Sequence, residues 1–284
     1  GPDVASIARE KAGIFKPGAP AVIAPQPPEA ARELARIAAD RSAPLIWVRE
    51  AGEEPGDDGN GECPGGLPGG AARYTVLEWG PQGGRFSLET PLRRYADLST
   101  PLLGLHQVQN AAVAVTLVDM LAGRGLAVSE EAVRRGLAES SWPGRFELFT
   151  GAPPILLDGV HNPGGARAFA RSFGKLFAGT RPVLVVAVTG EKELRDVLAP
   201  LLSHASAVVA TRPSSSRLAA ADPEDLARCA RELGVPAGVN PVVAGALDQA
   251  VELAGPGGMV CVCGSLYLVG EVRQLLMDRR SASP

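Results

Sequence analysis

The run Leu156-Leu157-Asp158-Gly159-Val160-His161-Asn162-Pro163-Gly164-Gly165 sets an acid and an imidazole three positions apart, next to an Asn-Pro turn. The apolar stretch Pro154 to Leu157 reads as a buried strand. It stops at Asp158, turns on Gly159 and Asn162-Pro163, and opens into the helix-like Ala166-Arg167-Ala168-Phe169-Ala170. In a parallel α/β sheet this order puts Asp158, His161 and Asn162 at the carboxyl end of a strand, where ligands bind. Thirteen residues before Asp158, the turn Trp142-Pro143-Gly144-Arg145-Phe146-Glu147 presents Arg145. An acid, a histidine and an arginine at one strand end suit a nucleotide and an anionic substrate. Asp-Gly and Asn-Pro are also ordinary turn chemistry, and His161 could simply cap the helix, so spacing alone leaves both readings open.

The elements that must hold these residues follow from apolar periodicity. A helix over 2–15, capped by Asp3, sets Ile7 and Ala8 on one face with Lys11 and Ile14. Strand 21–24, helix 28–40 and strand 45–48 give a β-α-β rhythm and therefore a parallel sheet. Residues 50–72 turn into Gly, Pro and acid, a surface loop or insertion without a core of its own. Strand-like runs at 73–79, 85–89 and 92–96 suggest an antiparallel hairpin or meander. An apolar helix to about Leu121 and a second over 129–138 precede a linker at 139–146. Beyond it come strands 154–157, 182–188, 206–210, 241–243 and 258–263. They alternate with helices 164–177, 192–202, 222–233 and 245–254, and a last helix covers 268–277. This is a doubly wound α/β domain. The expected division is 1–140 and 141–284.

Length and composition agree with two domains. The chain has 284 residues, 45% apolar and 21% charged, which is globular composition. A net charge of -3 argues against a nucleic-acid-binding surface. Lysine occurs only at positions 11, 16, 175 and 192. Cys63, Cys229, Cys261 and Cys263 have no zinc spacing. Reduced thiols and no signal peptide point to the cytoplasm, and the apolar runs are too short to cross a membrane. The chain starts with Gly1 rather than Met, directly in helix-like sequence, which suggests a missing N-terminus.

Taken singly, the remaining polar residues have plain structural explanations. Lys11 suits a solvated helix end, Asn110 and His106-Gln107 suit structural positions in and before a helix, and His204 suits a helix-end surface. Gly264-Ser265, between a buried strand and a helix, makes an anion-friendly helix start of modest specificity. Five ordered motifs say more. They are Ile7-Ala8-Arg9-Glu10-Lys11-Ala12-Gly13-Ile14 with Lys16-Pro17-Gly18, Gly104 to Ala112, Trp142 to Glu147, Leu157 to Pro163, and Gly264-Ser265-Leu266-Tyr267-Leu268-Val269-Gly270-Glu271-Val272-Arg273. Together they resemble the folylpolyglutamate synthase/dihydrofolate synthase family of the Mur ligase superfamily, along essentially the whole chain.

The resemblance implies an ATP- and Mg²⁺-dependent ligase. A carboxylate of dihydropteroate or a folate is phosphorylated, and the amine of L-glutamate displaces phosphate. It implies that Lys11 is carbamylated and helps hold magnesium, which makes it a catalytic and metal residue. It implies that Asn110 contacts the nucleotide base, Arg145 the phosphates and Asp158 the nucleotide. His161 then lines an interdomain cleft near glutamate or phosphate as a catalytic and substrate residue, and Ser265 and Tyr267 serve the glutamate end. The fold implied is α/β, the C-terminal part of a P-loop-type Mur ligase central domain followed by a Rossmann-like C-terminal domain. A cytoplasmic monomer without nucleic-acid or membrane partners completes the expectation.

One departure matters. The sequence has no Gly-x-x-x-x-Gly-Lys-Ser/Thr, and at Gly174-Lys175 the flanking positions are Phe169 and Leu176. The family's phosphate loop lies upstream of the Lys11 motif, so the chain is expected to be an N-terminally truncated member, inactive alone. Another Mur-type amino-acid ligase and a non-catalytic nucleotide-binding remnant are the alternatives. A dinucleotide-binding dehydrogenase is set aside, because no strand is followed by Gly-x-Gly-x-x-Gly.

Overall fold

The computed structural model describes residues 3–53, 70–188, 194–214 and 220–281. The chain divides into two units, Gly1–Ser140 and Ser141–Pro284.

In the first unit, α1 (Val4–Lys11) runs into a 3-10 turn (Ala12–Ile14), followed by β1 (Ala21–Ile23), α2 (Pro28–Asp40) and β2 (Leu45–Glu50). Then come β3 (Gly70–Gly80), β4 (Gly83–Glu89), β5 (Arg94–Thr100), α3 (Leu105–Ala122) and α4 (Glu130–Ala138). The sheet order is β1-β2-β3-β4-β5, with β1, β2 and β3 parallel and β3, β4 and β5 an antiparallel meander. One face packs Ile46, Val48, Tyr74, Phe86 and Leu98 against Val108, Ala112 and Val115 of α3. The opposite face is covered by α1 and α2 at Leu45 and Trp47. The meander's other side stays polar and carries the exposed pairs Arg85–Asp97 and Arg94–Glu89. Hence β2 is a continuous buried run while β4 and β5 alternate.

Of the face expected from Ile7, Ala8, Lys11 and Ile14, only Ala8 is packed. Ile7 and Ile14 are 44% and 79% exposed, and Ala8 and Ala12 make the contact instead, because small side chains let α1 approach α2 closely. Much of the Gly/Pro-rich stretch near 50–72 lies outside the described residues. Its edges are β2 and β3, which pair directly.

The second unit holds β6 (Glu147–Phe149), β7 (Ile155–Leu157), α5 (Pro163–Leu176), β8 (Val183–Val186), α6 (Leu194–Leu202) and β9 (Ala207–Ala210). It continues with α7 (Pro223–Glu232), β10 (Ala237–Val239), α8 (Val243–Ala254), β11 (Val260–Cys263) and α9 (Leu266–Ser281). The order is β10-β9-β8-β11-β7-β6, all parallel except β6. Every residue of β7, β8 and β11 is buried, which requires helices on both faces. The α/β class and the wound sheet are as expected.

Two strands differ from the sequence reading. The strand expected at 241–243 is Ala237–Val239. Pro241 has no N–H for a ladder, Val242 is 62% exposed, and Val243 already opens α8. The short edge strand β6 has no strand-like alternation long enough to show in the sequence, and it lies against β7.

Candidate active site

The carboxyl end of β7 is built around Asp158. Its backbone N–H donates to Val262 O (3.0 Å), so the chain is still in register with β11 there. Its carboxylate is buried. Oδ2 accepts from the N–H of Phe146 at 3.0 Å and Oδ1 from the N–H of Val160 at 2.8 Å. Burial pushes the carboxyl up to about 6, against the opposing pull of the Val160 and Phe146 N–H groups and of nearby Arg145 and His161.

What Asp158 holds is the turn that carries Arg145. Gly144 and Phe146, on either side of Arg145, are both left-handed, with φ of +72° and +50°. For phenylalanine that conformation is strained by about 1–3 kcal/mol and persists only where its surroundings over-determine it. Those surroundings are visible. The Phe146 ring is buried against Phe169, centroids 5.3 Å apart, and its N–H is taken by Asp158. Gly159 N–H donates to Gly144 O (2.8 Å). Glu147 accepts from Gly144 N–H at 2.7 Å and from Arg273 Nε at 3.0 and 3.1 Å, tying the turn to α9. The half-buried Arg145 guanidinium lies over Gly159, its Nη1 3.5 Å from where a Cβ would stand there.

His161 does not cap the helix. Asn162 does, accepting from Gly165 N–H at 2.8 Å, with Pro163 at the first helical position. The His161 Nδ1 lies 2.9 Å from Gly159 O. A carbonyl only accepts, so Nδ1 donates, and the ring's other nitrogen belongs to an exposed residue. Ser265 is 1% exposed and turned into the start of α9, where its hydroxyl accepts from Tyr267 N–H at 3.2 Å. Tyr267 is half-buried one position into that helix. The structure thus gathers Arg145, Asp158 and the backbone under His161 around one strand end, and it sets Ser265 and Tyr267 at the end of the neighbouring β11.

Lys11 and Asn110 belong to the first unit. Lys11 is the last residue of α1, and its side chain is 74% exposed, 3.8 Å from Glu10. Below it, Arg41 Nη1 donates to the carbonyls of Ala12 and Gly13 (3.0 and 2.9 Å) and fixes the helix end. Asn110 is exposed on α3, its Nδ2 donating to Gln107 Oε1 at 3.1 Å. Among the described residues no three His, Cys, Asp or Glu side chains gather as a metal site. Lys11 with Glu10 alone offers no closed coordination set, so no step is assigned to a metal. Two residues without an assigned role in the sequence reading, Glu147 and Arg273, are structural members of the site. Each closes one of the motifs quoted for the resemblance, which is the signal that could have singled them out. His204, expected at a helix-end surface, is half-buried against Phe173, centroids 5.7 Å apart.

Residues 144–266 match the family described as Mur ligase, glutamate ligase domain. The chain is 29% identical over 281 residues to the dihydrofolate synthase/folylpolyglutamate synthase of Bacillus subtilis, covering 97% of this chain and 59% of that protein. The folylpolyglutamate synthase of Mycobacterium tuberculosis, solved with ADP and AMPPCP, superposes with a TM-score of 0.79 at 30% identity, over 97% of this chain and 60% of that one. The Escherichia coli FolC structure with DHPP and ADP gives 0.76 at 28%, over 99% and 58%. Along nearly its whole length the chain is similar to folylpolyglutamate and dihydrofolate synthases. It spans about three fifths of the length of these relatives.

Proposed function

We propose that this chain serves an ATP-dependent ligase that joins L-glutamate to a carboxylate of dihydropteroate or a folate. The observation that carries the reading is the turn that presents Arg145, its backbone held at the Phe146 N–H by the buried Asp158 at a strand's carboxyl end, within a matched glutamate ligase domain. In the first step the substrate carboxylate oxygen takes the γ-phosphoryl group of ATP, giving an acyl phosphate and ADP. In the second, the glutamate amine attacks the acyl carbon, a C–N bond forms, the C–O bond to phosphate breaks, and phosphate leaves. Arg145 stabilises the charge spread over the transferred phosphoryl oxygens. Asp158 keeps Arg145 in place and lies at the nucleotide end. His161 Nε2 accepts a proton from the amine, and Ser265 and Tyr267 form the glutamate end. In the first unit, Asn110 faces the nucleotide base, and Lys11, once carbamylated, would supply a carboxylate to hold Mg²⁺, which would offset the charge of the phosphates. The three described cysteines are free and buried, which supports a cytoplasmic, reduced setting. No helix among the described residues is long and apolar enough to cross a membrane. A monomer acting without nucleic acid completes the reading.

The test is ligation by the product of the complete reading frame, given ATP, L-glutamate and either dihydropteroate or tetrahydrofolate. Phosphate release coupled to a product heavier by one glutamyl residue is expected. Turnover of UDP-sugar acids in preference to both pterin substrates would point to another Mur-type ligase. Nucleotide binding without any amide product would point to a non-catalytic protein.

A further inference from the structure

Helix α9 meets the Arg145 turn with one face. Leu266, Val269 and Arg273 follow one another at intervals of three and four residues, so their side chains line up along the helix. Each has a partner on the turn or on the strand end beside it. Leu266 covers Gly159, where an added Cβ would stand 2.2 Å from the leucine Cδ2. Val269 covers Gly144, where an added Cβ would stand 2.7 Å from the valine Cγ1. Arg273 meets Glu147, with Nε 3.1 and 3.0 Å from Oε1 and Oε2. The Gly159 N–H donates to Gly144 O at 2.8 Å and joins the two glycine segments under the helix. The helix is itself anchored, because Leu268, Val272 and Leu276 are buried in the core of the second unit.

Within this contact Glu147 Oε2 is shared. It accepts from the Gly144 N–H at 2.7 Å and from Arg273 Nε at 3.0 Å. The two charged side chains are largely covered, 34% and 24% exposed, so their charge-assisted bond is screened less than a surface pair. Arg273 thereby fixes the acceptor that holds Gly144, and Gly144 and Phe146 are the two left-handed residues around Arg145. A released Gly144 N–H would let the backbone relax at the root of the Arg145 side chain. The guanidinium sits at the far end of that side chain, so a small rotation at the root becomes a large displacement at the tip. A misplacement on the order of 1 Å is enough to cost a reaction a large part of its rate.

We infer that Arg273 is a positioning residue for Arg145: through Glu147, and against the face formed by Leu266 and Val269, it fixes the turn from which Arg145 reaches the phosphoryl group. The inference rests on the ligase reading above and adds a residue that acts on phosphoryl transfer through another side chain. The test is a double-mutant cycle in the complete protein. Arg273→Ala is expected to lower kcat for amide formation about tenfold or more, with KM for ATP and glutamate within a few-fold. Added to Arg145→Ala, it should lower kcat by less than about twofold further, because the group it positions is already gone. Arg273→Lys should recover part of the loss beside an intact Arg145, since an ammonium still holds the carboxylate. Glu147→Gln keeps an oxygen for the Gly144 N–H and should fall between wild type and Arg273→Ala. Should the alanine variant fail to fold, these two milder variants run the same cycle. A second readout is independent of turnover. The Arg145 Nε–H signal in nitrogen-15 NMR should shift or broaden in Arg273→Ala while the amides of β7 and β8 stay protected from exchange. Losses that multiply in the double variant, an Arg273→Ala protein with the wild-type kcat, or an unmoved Arg145 signal would each overturn the inference and leave the ligase reading intact. Absence of amide formation by the wild-type protein would remove the ligase reading instead, and the Arg145 signal alone would then decide whether Arg273 sets the turn.

Discussion

In the unit Ser141–Pro284, Arg145 sits between two left-handed residues, and each neighbour is tied down: Phe146 by Asp158 and the Phe169 ring, Gly144 by Glu147 and Gly159. In the unit Gly1–Ser140, Lys11 ends a helix with its ammonium in solvent, and Asn110 lies on an open helix face. The first arrangement fixes the backbone that carries Arg145 before any ligand arrives, so little backbone entropy remains to be lost there. The second leaves the side chain to be ordered by whatever it meets. The difference follows from the sheets. The second unit buries its parallel strands on both faces and concentrates polar groups at their carboxyl ends, whereas the meander of the first unit spends its polar residues on a solvated face.

The sharpest break of this contrast is Gly264→Ala. Gly264 has φ +95°, and an added Cβ would stand 2.3 Å from the carbonyl oxygen of Ala187, which is backbone and cannot swing away. A loss of about 3–4 kcal/mol is expected. Hydrogen exchange should show it in β8 and β11, with the amides of β2 and β3 still protected. The matching break in the first unit is Asp119→Ala. Asp119 is 1% exposed and accepts from the hydroxyls of Thr90 and Tyr95, both at 2.7 Å. Removing it leaves the buried Tyr95 hydroxyl unpaired and Thr90 with only the Arg93 carbonyl at 3.3 Å, at a cost of about 2–3 kcal/mol, and hydrogen exchange should show protection lost in β5 and α3 rather than in β11.

A gentler probe is pH. In the folded chain the Asp158 carboxyl, at about 6, lies above its ordinary value of 3.8, so between those values the native state holds a proton that the unfolded state has released. Stability from this group is therefore greatest below pH about 4 and falls as pH rises toward 6, by at most about 3 kcal/mol. The carboxyl carbon of Asp158 should titrate near 6 by carbon-13 NMR, and Asp158→Asn should flatten that part of the stability profile.

Legibility in the sequence followed the same divide. The strand end at Leu157-Asp158 and the turn at Arg145 could be read because buried apolar runs, Gly and Asn-Pro mark a strand-to-helix junction locally. The role of Asp158 as the clamp of the Arg145 turn could not, because it depends on two backbone N–H groups, one of them twelve residues away. Ala12 was harder to read than Ile7 and Ile14, since hydropathy favours the larger side chains while close helix packing favours the smaller. Val242 and Val243 look like a strand until Pro241 is weighed against them. Glu147 and Arg273 meet across 126 residues, a distance over which no periodicity speaks.

The central claim is that the clamped Arg145 turn stabilises a transferred phosphoryl group. Its most direct measurement is kcat for amide formation by the complete protein carrying Arg145→Ala, beside the KM for ATP and glutamate and the amide exchange of β7. A fall in kcat of about a hundredfold or more, with both KM values within a few-fold and β7 still protected, is the result predicted. An Arg145→Ala protein that turns over at the wild-type rate would contradict it.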